Sequence, residues 1–300
     1  MVMDHEVNGR RLYMRSAGAG APSVVFLAGA GAAGLDYWGL QQRVAELTTA
    51  VVYDRSGTGW SDRSAGRLPE AGETVDELRE LLRVAGVPGP YVLVGHSLGA
   101  LFARLYAIRF PGEVAGLVLM DPAHEDYDTS MPQELQDLRA SFDPEAMELP
   151  DELPAEIIGF YRDLFGRMMA GWPPDVREPL VEAHLGREWL SDGFRAVKAV
   201  KGYYDEVGKA GPLPDLPLIV LTATGVDDFK RAVSAGESEA LMLAEIDAKR
   251  RLYDAFAASV PRGENRPVAG AGHASLPWRG AGDVVRAIRD ILTRISGGVG

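Results

Sequence analysis

Ser97, His273 and one of three aspartates (Asp121, Asp227 or Asp228) are the side chains whose types and surroundings could together attack a carbonyl carbon. A serine hydroxyl is a weak nucleophile until a neighbouring base takes its proton. Imidazole, with an ordinary pKa of about 6.5, suits that exchange near neutral pH. A carboxylate behind the ring would fix its tautomer and stabilise the cation that forms. Ser97 lies in Gly95-His96-Ser97-Leu98-Gly99, and the two glycines permit the close backbone approach that a sharp turn requires. His273 alone among five histidines sits in a Gly-rich loop late in the chain, Gly270-Ala271-Gly272-His273. His5, His124 and His184 are expected to be structural or surface residues, and His96 to pack near the site. Negative charge developing on the attacked oxygen needs preorganised donors. The backbone N–H of Leu98 is one, and that of Ala30, in the loop after an early strand, is expected to be the second.

These groups are useful only if the elements between them bring them together. Residues 90–94 are an apolar run, as in a strand buried on both faces, and 100–107 read as a helix with no breaker before Pro111. Asn8-Gly9 between 4–7 and 10–15 signals an opening hairpin. Residues 23–27 form an apolar strand leading into Ala28-Gly29-Ala30-Gly31-Ala32-Ala33-Gly34. That loop has the spacing of a dinucleotide-binding turn, but no acidic ribose partner follows a second strand. Asp54, 20 residues past Gly34, belongs to a Gly-rich turn of its own. Helical spacing covers 38–47 and 74–85, and a strand at 114–120 ends on Asp121-Pro122. Later come a strand at 217–223, a long helix over 234–258, a short strand at 266–269 and a closing helix over 280–295. Strands alternating with helices predict an α/β fold: a mostly parallel, doubly wound, eight-stranded sheet. Asp121 ends one strand and Asp227 and Asp228 follow a later one. Both strand ends open on the same edge, so either site can reach the histidine loop.

The stretch 122–210 breaks this rhythm. It is helix-rich and carries 19 acidic against 9 basic residues, a balance of −10 out of −12 for the chain. The expected division is therefore an α/β core over 1–121 and 211–300, with an acidic helical lid over 122–210 inserted after the sixth strand. Trp38 and His96 in the core, and Phe160, Phe165, Met169 and Trp172 in the lid, are candidates for substrate contact.

Three hundred residues are ample for a large core. The negative balance argues against nucleic acid or an anionic membrane as partner and leaves a small-molecule substrate. The absence of cysteine excludes thiolate catalysis and disulfides. No stretch looks like a secretory signal or approaches the roughly 18 apolar residues of a membrane span, so a cytoplasmic protein is expected. Oligomeric state is not legible.

The chain resembles the α/β-hydrolase-fold proteins from about residue 6 to 295. The markers are Gly95-His96-Ser97-Leu98-Gly99, the turn Asp54-Arg55-Ser56-Gly57-Thr58-Gly59-Trp60-Ser61, and Gly270-Ala271-Gly272-His273. Members usually carry His-Gly-X after the third strand, X supplying an oxyanion N–H. Here Ala28-Gly29-Ala30 stands in that place, without the histidine and its hydrogen-bond support. The family's acid most often follows the strand that ends here at Ala223, in a Gly-x-x-Asp pattern. This chain has Ala-Thr-Gly-Val-Asp, one residue longer. Residues 90–126 are similar to a bacterial subgroup with the acid at the Asp121 position, and the resemblance therefore favours Asp121 over Asp227 or Asp228. Haloalkane dehalogenases and epoxide hydrolases of the fold need an aspartate where Ser97 stands.

The resemblance implies no cofactor and no metal. It implies a serine hydrolase cleaving a small to medium, largely apolar ester, lactone or thioester. Two alternatives remain. One is an aminopeptidase similar to proline iminopeptidases, with a substrate amine held by lid carboxylates such as Glu145, Glu148, Asp151, Glu152 and Glu156. The other is a lid-gated ligand-binding protein, or a non-hydrolytic acyl-transfer or cyclising enzyme on the same scaffold.

Overall fold

The computed structural model describes residues 2–63, 67–141, 143, 146, 154–234 and 236–297. Strands β1 (Val2–Val7) and β2 (Arg10–Ala17) form the expected hairpin. Its turn residues Asn8 and Gly9 both have positive φ (51° and 75°), as the tightest hairpin turns require. Strands β3 (Ser23–Leu27), β4 (Ala50–Tyr53), β5 (Tyr91–His96), β6 (Val114–Met120), β7 (Leu218–Ala223) and β8 (Gly263–Val268) complete one eight-stranded sheet. Its order is β1-β2-β4-β3-β5-β6-β7-β8, parallel except where β2 meets β1 and β4.

The apolar runs alternate between two layers. Val25, Leu27, Leu93, Leu117, Leu119 and Val220 point to one side, and Val24, Phe26, Val92, Val94, Val118 and Ile219 to the other. Helices α2 (Ala71–Val84) and α3 (Leu98–Arg109) cover the first side. Helices α1 (Trp38–Val44) and α12 (Ala281–Gly297) cover the second. Burial on both faces is why the central strands read as continuous apolar runs.

Between β6 and β7 come α4 (Tyr127–Ser130), α5 (Gln133–Ser141), α6 (Ala155–Met168), α7 (Pro174–Leu185) and α8 (Arg187–Lys209). No strand interrupts them among the described residues. Specific bonds tie this segment to the sheet's loops. Trp189 Nε1 donates to Gly31 O at 2.8 Å, His184 Nε2 donates to Asp36 Oδ1 at 2.8 Å, and the Glu206 carboxylate accepts from the first amides of α2.

One expectation is corrected after β7. The helix expected over 234–258 begins only at Glu239, as α10 (Glu239–Ala258), and a short helix that was not expected, α9 (Asp228–Val233), precedes it. Gly236, at φ 100°, turns the chain, and the Ser238 hydroxyl caps α10 by accepting from Leu241 N at 3.1 Å. A short α11 (Leu276–Arg279) precedes α12.

Candidate active site

The chain runs from β3 to β4 on one side and then crosses to β5 on the other, so the connections that leave the paired carboxyl ends of β3 and β5 diverge. In an open α/β sheet that divergence leaves a crevice for ligands. The loop after β3 and the turn after β5 meet there. A Cβ on Gly29 would stand 3.3 Å from Ser97 Cβ.

Ser97 joins β5 to α3 with φ 50°, a strained value for a residue with a side chain. The flanking glycines make the turn possible. A Cβ on Gly95 would lie 2.6 Å from Ala100 Cα, and one on Gly99 would lie 2.0 Å from Leu27 O. Leu98, the next residue, is the first of α3, so its amide points out of the positive end of a three-turn helix.

His273 comes from the loop after β8 and bridges two oxygens. Its Nε2 is 3.0 Å from Ser97 Oγ and its Nδ1 is 2.6 Å from Asp121 Oδ2. A carboxylate only accepts, so Nδ1–H donates to Asp121 and Nε2 is left to accept from the serine hydroxyl. Asp121 also sits at positive φ, 43°, and is buried. Its Oδ1 accepts from Ala223 N at 2.9 Å, and its Oδ2 accepts from Lys249 Nζ at 2.8 Å as well as from His273. Burial works against ionisation here, but the Lys249 ammonium and His273 outweigh it and hold the carboxyl well below the usual range.

Of the aspartates open at the sequence level, the structure brings Asp121 to the histidine. Asp227 is used differently: its Oδ1 caps α9, accepting from Lys230 N at 2.8 Å, while Oδ2 rests against Gly272. The extra residue in Ala-Thr-Gly-Val-Asp carries it into that cap. Asp228 is the first residue of α9 and exposed.

The support that the Ala28-Gly29-Ala30 loop lacks in histidine comes from Arg55, a role that sequence reasoning missed. Its guanidinium donates to the carbonyls of both Ala28 and Gly29, the latter at 2.9 Å. Asp54 pins the far end of the loop, accepting from Gly34 N at 2.6 Å and Trp60 N at 2.9 Å; burial, opposed by those donors, pushes its carboxyl up to about 7. The one sequence signal for Arg55 is its place in the Gly-rich turn that follows Asp54.

His96 is fully enclosed. Its Nε2 donates to His273 O at 3.0 Å, and its Nδ1 accepts from Tyr37 Oη at 2.8 Å. Tyr37 Oη in turn accepts from Gly29 N at 3.2 Å. Burial holds the His96 ring neutral, its pKa pushed down to about 3. His96 thus ties the loop after β3 to the loop bearing His273.

A cavity of about 670 Å³ opens on Ser97 and His273. Leu135, Val197, Phe229 and Ile246 supply apolar wall, and Tyr127, Lys230, Glu245 and Lys249 supply polar wall. None of the six residues expected to contact substrate lines it. Trp38 and Trp172 pack on each other at 5.3 Å, Met169 is fully buried under α7, Phe165 stacks on His184 at 4.5 Å, and Phe160 is exposed. Trp38, Phe165, Met169 and Trp172 thus pack on neighbouring elements of the protein. A groove of similar size, about 710 Å³, is lined by Leu105, Arg109, Tyr203 and Glu206 and includes none of the residues around Ser97. Of the acidic residues considered as amine ligands, Glu156 is exposed at the start of α6, and Glu145, Glu148, Asp151 and Glu152 lie outside the described residues. No helix among the described residues is long and apolar enough to cross a membrane.

A family model described as "Alpha/beta hydrolase family" matches residues 24–287. A putative carbamate hydrolase, RutD of Klebsiella pneumoniae, is 40% identical over 106 residues, covering 34% of this chain and 38% of that protein. The chain spans less than half the length of the curated relatives that it matches. Among solved structures, a putative epoxide hydrolase from Pseudomonas aeruginosa superposes with a TM-score of 0.69 at 19% identity, over 99% of this chain and 96% of that one. A thermophilic esterase from Thermogutta terrifontis does so with a TM-score of 0.61 at 18% identity, over 98% and 99%. At such identities the superpositions show the fold alone.

Proposed function

The chain belongs to the alpha/beta hydrolase family, and from that premise we propose that it is a serine hydrolase working through an acyl-enzyme on Ser97. The observation that carries this reading is the continuous row Ser97 Oγ, His273 Nε2, His273 Nδ1, Asp121 Oδ2, with spacings of 3.0 and 2.6 Å. As Ser97 Oγ attacks a carbonyl carbon, His273 Nε2 takes the hydroxyl proton and the buried Asp121 carboxylate stabilises the imidazolium. The amides of Ala30 and Leu98 hold the oxyanion, the loop of the first being stiffened by Arg55. Collapse of the tetrahedral intermediate expels the leaving group, which receives the proton from His273. Water, deprotonated by the same imidazole, then attacks the acyl-enzyme and frees the acid and Ser97.

The substrate is a small to medium carboxylic ester, lactone or thioester. The mixed wall of the cavity favours one apolar flank and one hydrogen-bonding flank rather than a purely aliphatic molecule. Carbamates share the acyl chemistry, and the similarity to a putative carbamate hydrolase places them in the same screen. The segment 122–210 acts as a lid over the crevice, anchored by Trp189 and His184. A fluorophosphonate should label Ser97, and Ser97→Ala should abolish both labelling and p-nitrophenyl ester turnover. Turnover that survives in Ser97→Ala defeats the proposal.

A further inference from the structure

Glu245, Lys249 and Tyr253 follow one another at four-residue spacing and so share one face of α10. That face braces the turn that carries Asp121. Tyr253 donates its hydroxyl to Pro122 O, directly after the acid. Lys249 Nζ donates to Asp121 Oδ2, the same oxygen that receives His273 Nδ1–H. Glu245, one turn earlier, pairs with Lys230 and accepts from Tyr127 Oη at 2.6 Å, so its own charge is already answered. Lys249 and Asp121 are both buried, and Lys249 borders the cavity that opens on Ser97.

A serine, an imidazole and a carboxylate in a row do not need a cation on the carboxylate. Bringing an ammonium into the protein has a desolvation cost, and one placed on the oxygen that already serves the histidine divides that oxygen between two donors. We infer that Lys249 is a positioning residue: it holds Asp121 in its strained turn and, by sharing Oδ2, weakens the pull of the carboxylate on the His273 proton. The device keeps the imidazole in its proton-accepting form further into the acid range than the carboxylate alone would allow.

The other groups facing this cluster do not supply that effect. His96, whose ring centroid is 5.1 Å from that of His273, is held neutral. Tyr253 and Tyr127 are neutral, their hydroxyls raised by burial. The charges of Glu245 and Lys230 face each other, and the Asp227 carboxylate beside Gly272 is engaged by the amide of Lys230. Lys249 is the cation in contact with Asp121.

The inference rests on the serine-hydrolase reading for its kinetic readout only, and a second readout is independent of activity. Lys249→Gln keeps a donor to Oδ2 and removes the charge; Lys249→Arg keeps the charge. Loss of a cation beside an imidazole–carboxylate pair favours the protonated ring, so in Lys249→Gln the acid limb of kcat/KM should move to higher pH by about one unit. The Cε1–H resonance of His273, followed by NMR against pH and identified by its loss in His273→Gln, should move with it. Lys249→Arg should leave both where the wild type has them. Should Lys249→Gln not fold, Lys249→Met carries the same expectation, and Lys249→Arg alone still fails it by displacing the limb. A folded Lys249→Gln or Lys249→Met in which His273 titrates with the wild type overturns the inference. An unlabelled Ser97 with a displaced His273 resonance would overturn the hydrolase reading and leave this one standing.

Discussion

Asp121 and Asp227 are both buried carboxylates at strand ends on the same edge of the sheet, and their hydrogen bonds divide the work between them. Asp121 has His273 on one oxygen; Asp227 spends Oδ1 on a helix cap, and its Oδ2 is buried without a hydrogen-bond partner among the described residues. Asp121→Asn leaves His273 in the wrong tautomer and should lower kcat by about four orders of magnitude, as loss of an orienting carboxylate does. Asp227→Asn should leave kcat within tenfold of the wild type and reduce stability by only about 1 kcal/mol, through a weakened cap. Steady-state kinetics with urea denaturation decides between the two, and the reverse pattern would reassign the acid. Ser97 and His273 were legible because their neighbours in sequence carry the signal: glycines at fixed offsets and an apolar strand just before. The carboxylate partner of His273 was half legible, because two strand ends pointed at one place. Arg55, Tyr37 and Lys249 were not legible, because each acts on a group 8 to 128 residues away through a contact that leaves no local pattern.

At the scale of elements, α3 is pressed against the end of β3 so closely that only glycine fits the contact. The Cβ of an alanine at 99 would stand 2.0 Å from Leu27 O, and both partners are main chain that cannot swing aside. Gly99→Ala should therefore destabilise the protein by about 3 kcal/mol or more, or prevent it from folding. Gly112→Ala is the control. It lies between α3 and β6 with nothing within 4 Å of the added carbon, and should change stability by less than about 0.5 kcal/mol. Equal urea midpoints for the two variants would show that the turn relaxes without cost. The strands and long helices were readable because burial on two faces, or on one stripe, imposes a period on the sequence. The one-turn helices α4 and α11 have no room for a period, and the break between α9 and α10 depends on Gly236 and the Ser238 cap. The underside of the helical segment was less legible for a different reason: an apolar stripe says that a face is covered but not by what, and here neighbouring helices and the loop after β3 do much of the covering.

At the scale of the whole molecule, the loops after β3, β5 and β8 come together around one imidazole that bears no charge. His96 accepts from Tyr37 and donates to His273 O, and protonation would remove its acceptor nitrogen and place a charge where burial opposes it. The folded ring takes a proton only at about pH 3, whereas in the unfolded chain it does so at the ordinary value of 6.5. Between those limits the unfolded state binds more protons, so the contribution of His96 to stability is full above about pH 6.5 and falls as the pH drops towards 3. At pH 5 the loss relative to pH 7.5 amounts to about 2 kcal/mol from this ring alone. Other acid-sensitive groups, the buried His124 among them, also weaken the fold over this range, whereas Asp121 does so only below the ordinary carboxylate range; they are common to wild type and variant and cancel in the comparison. His96→Asn, which cannot titrate, should start less stable at pH 7.5 and lose about 2 kcal/mol less than the wild type on going to pH 5. Urea unfolding at the two pH values measures the difference directly. Parallel losses in the two proteins would mean that the ring is already charged in the fold, and that the junction of the three loops is held in some other way.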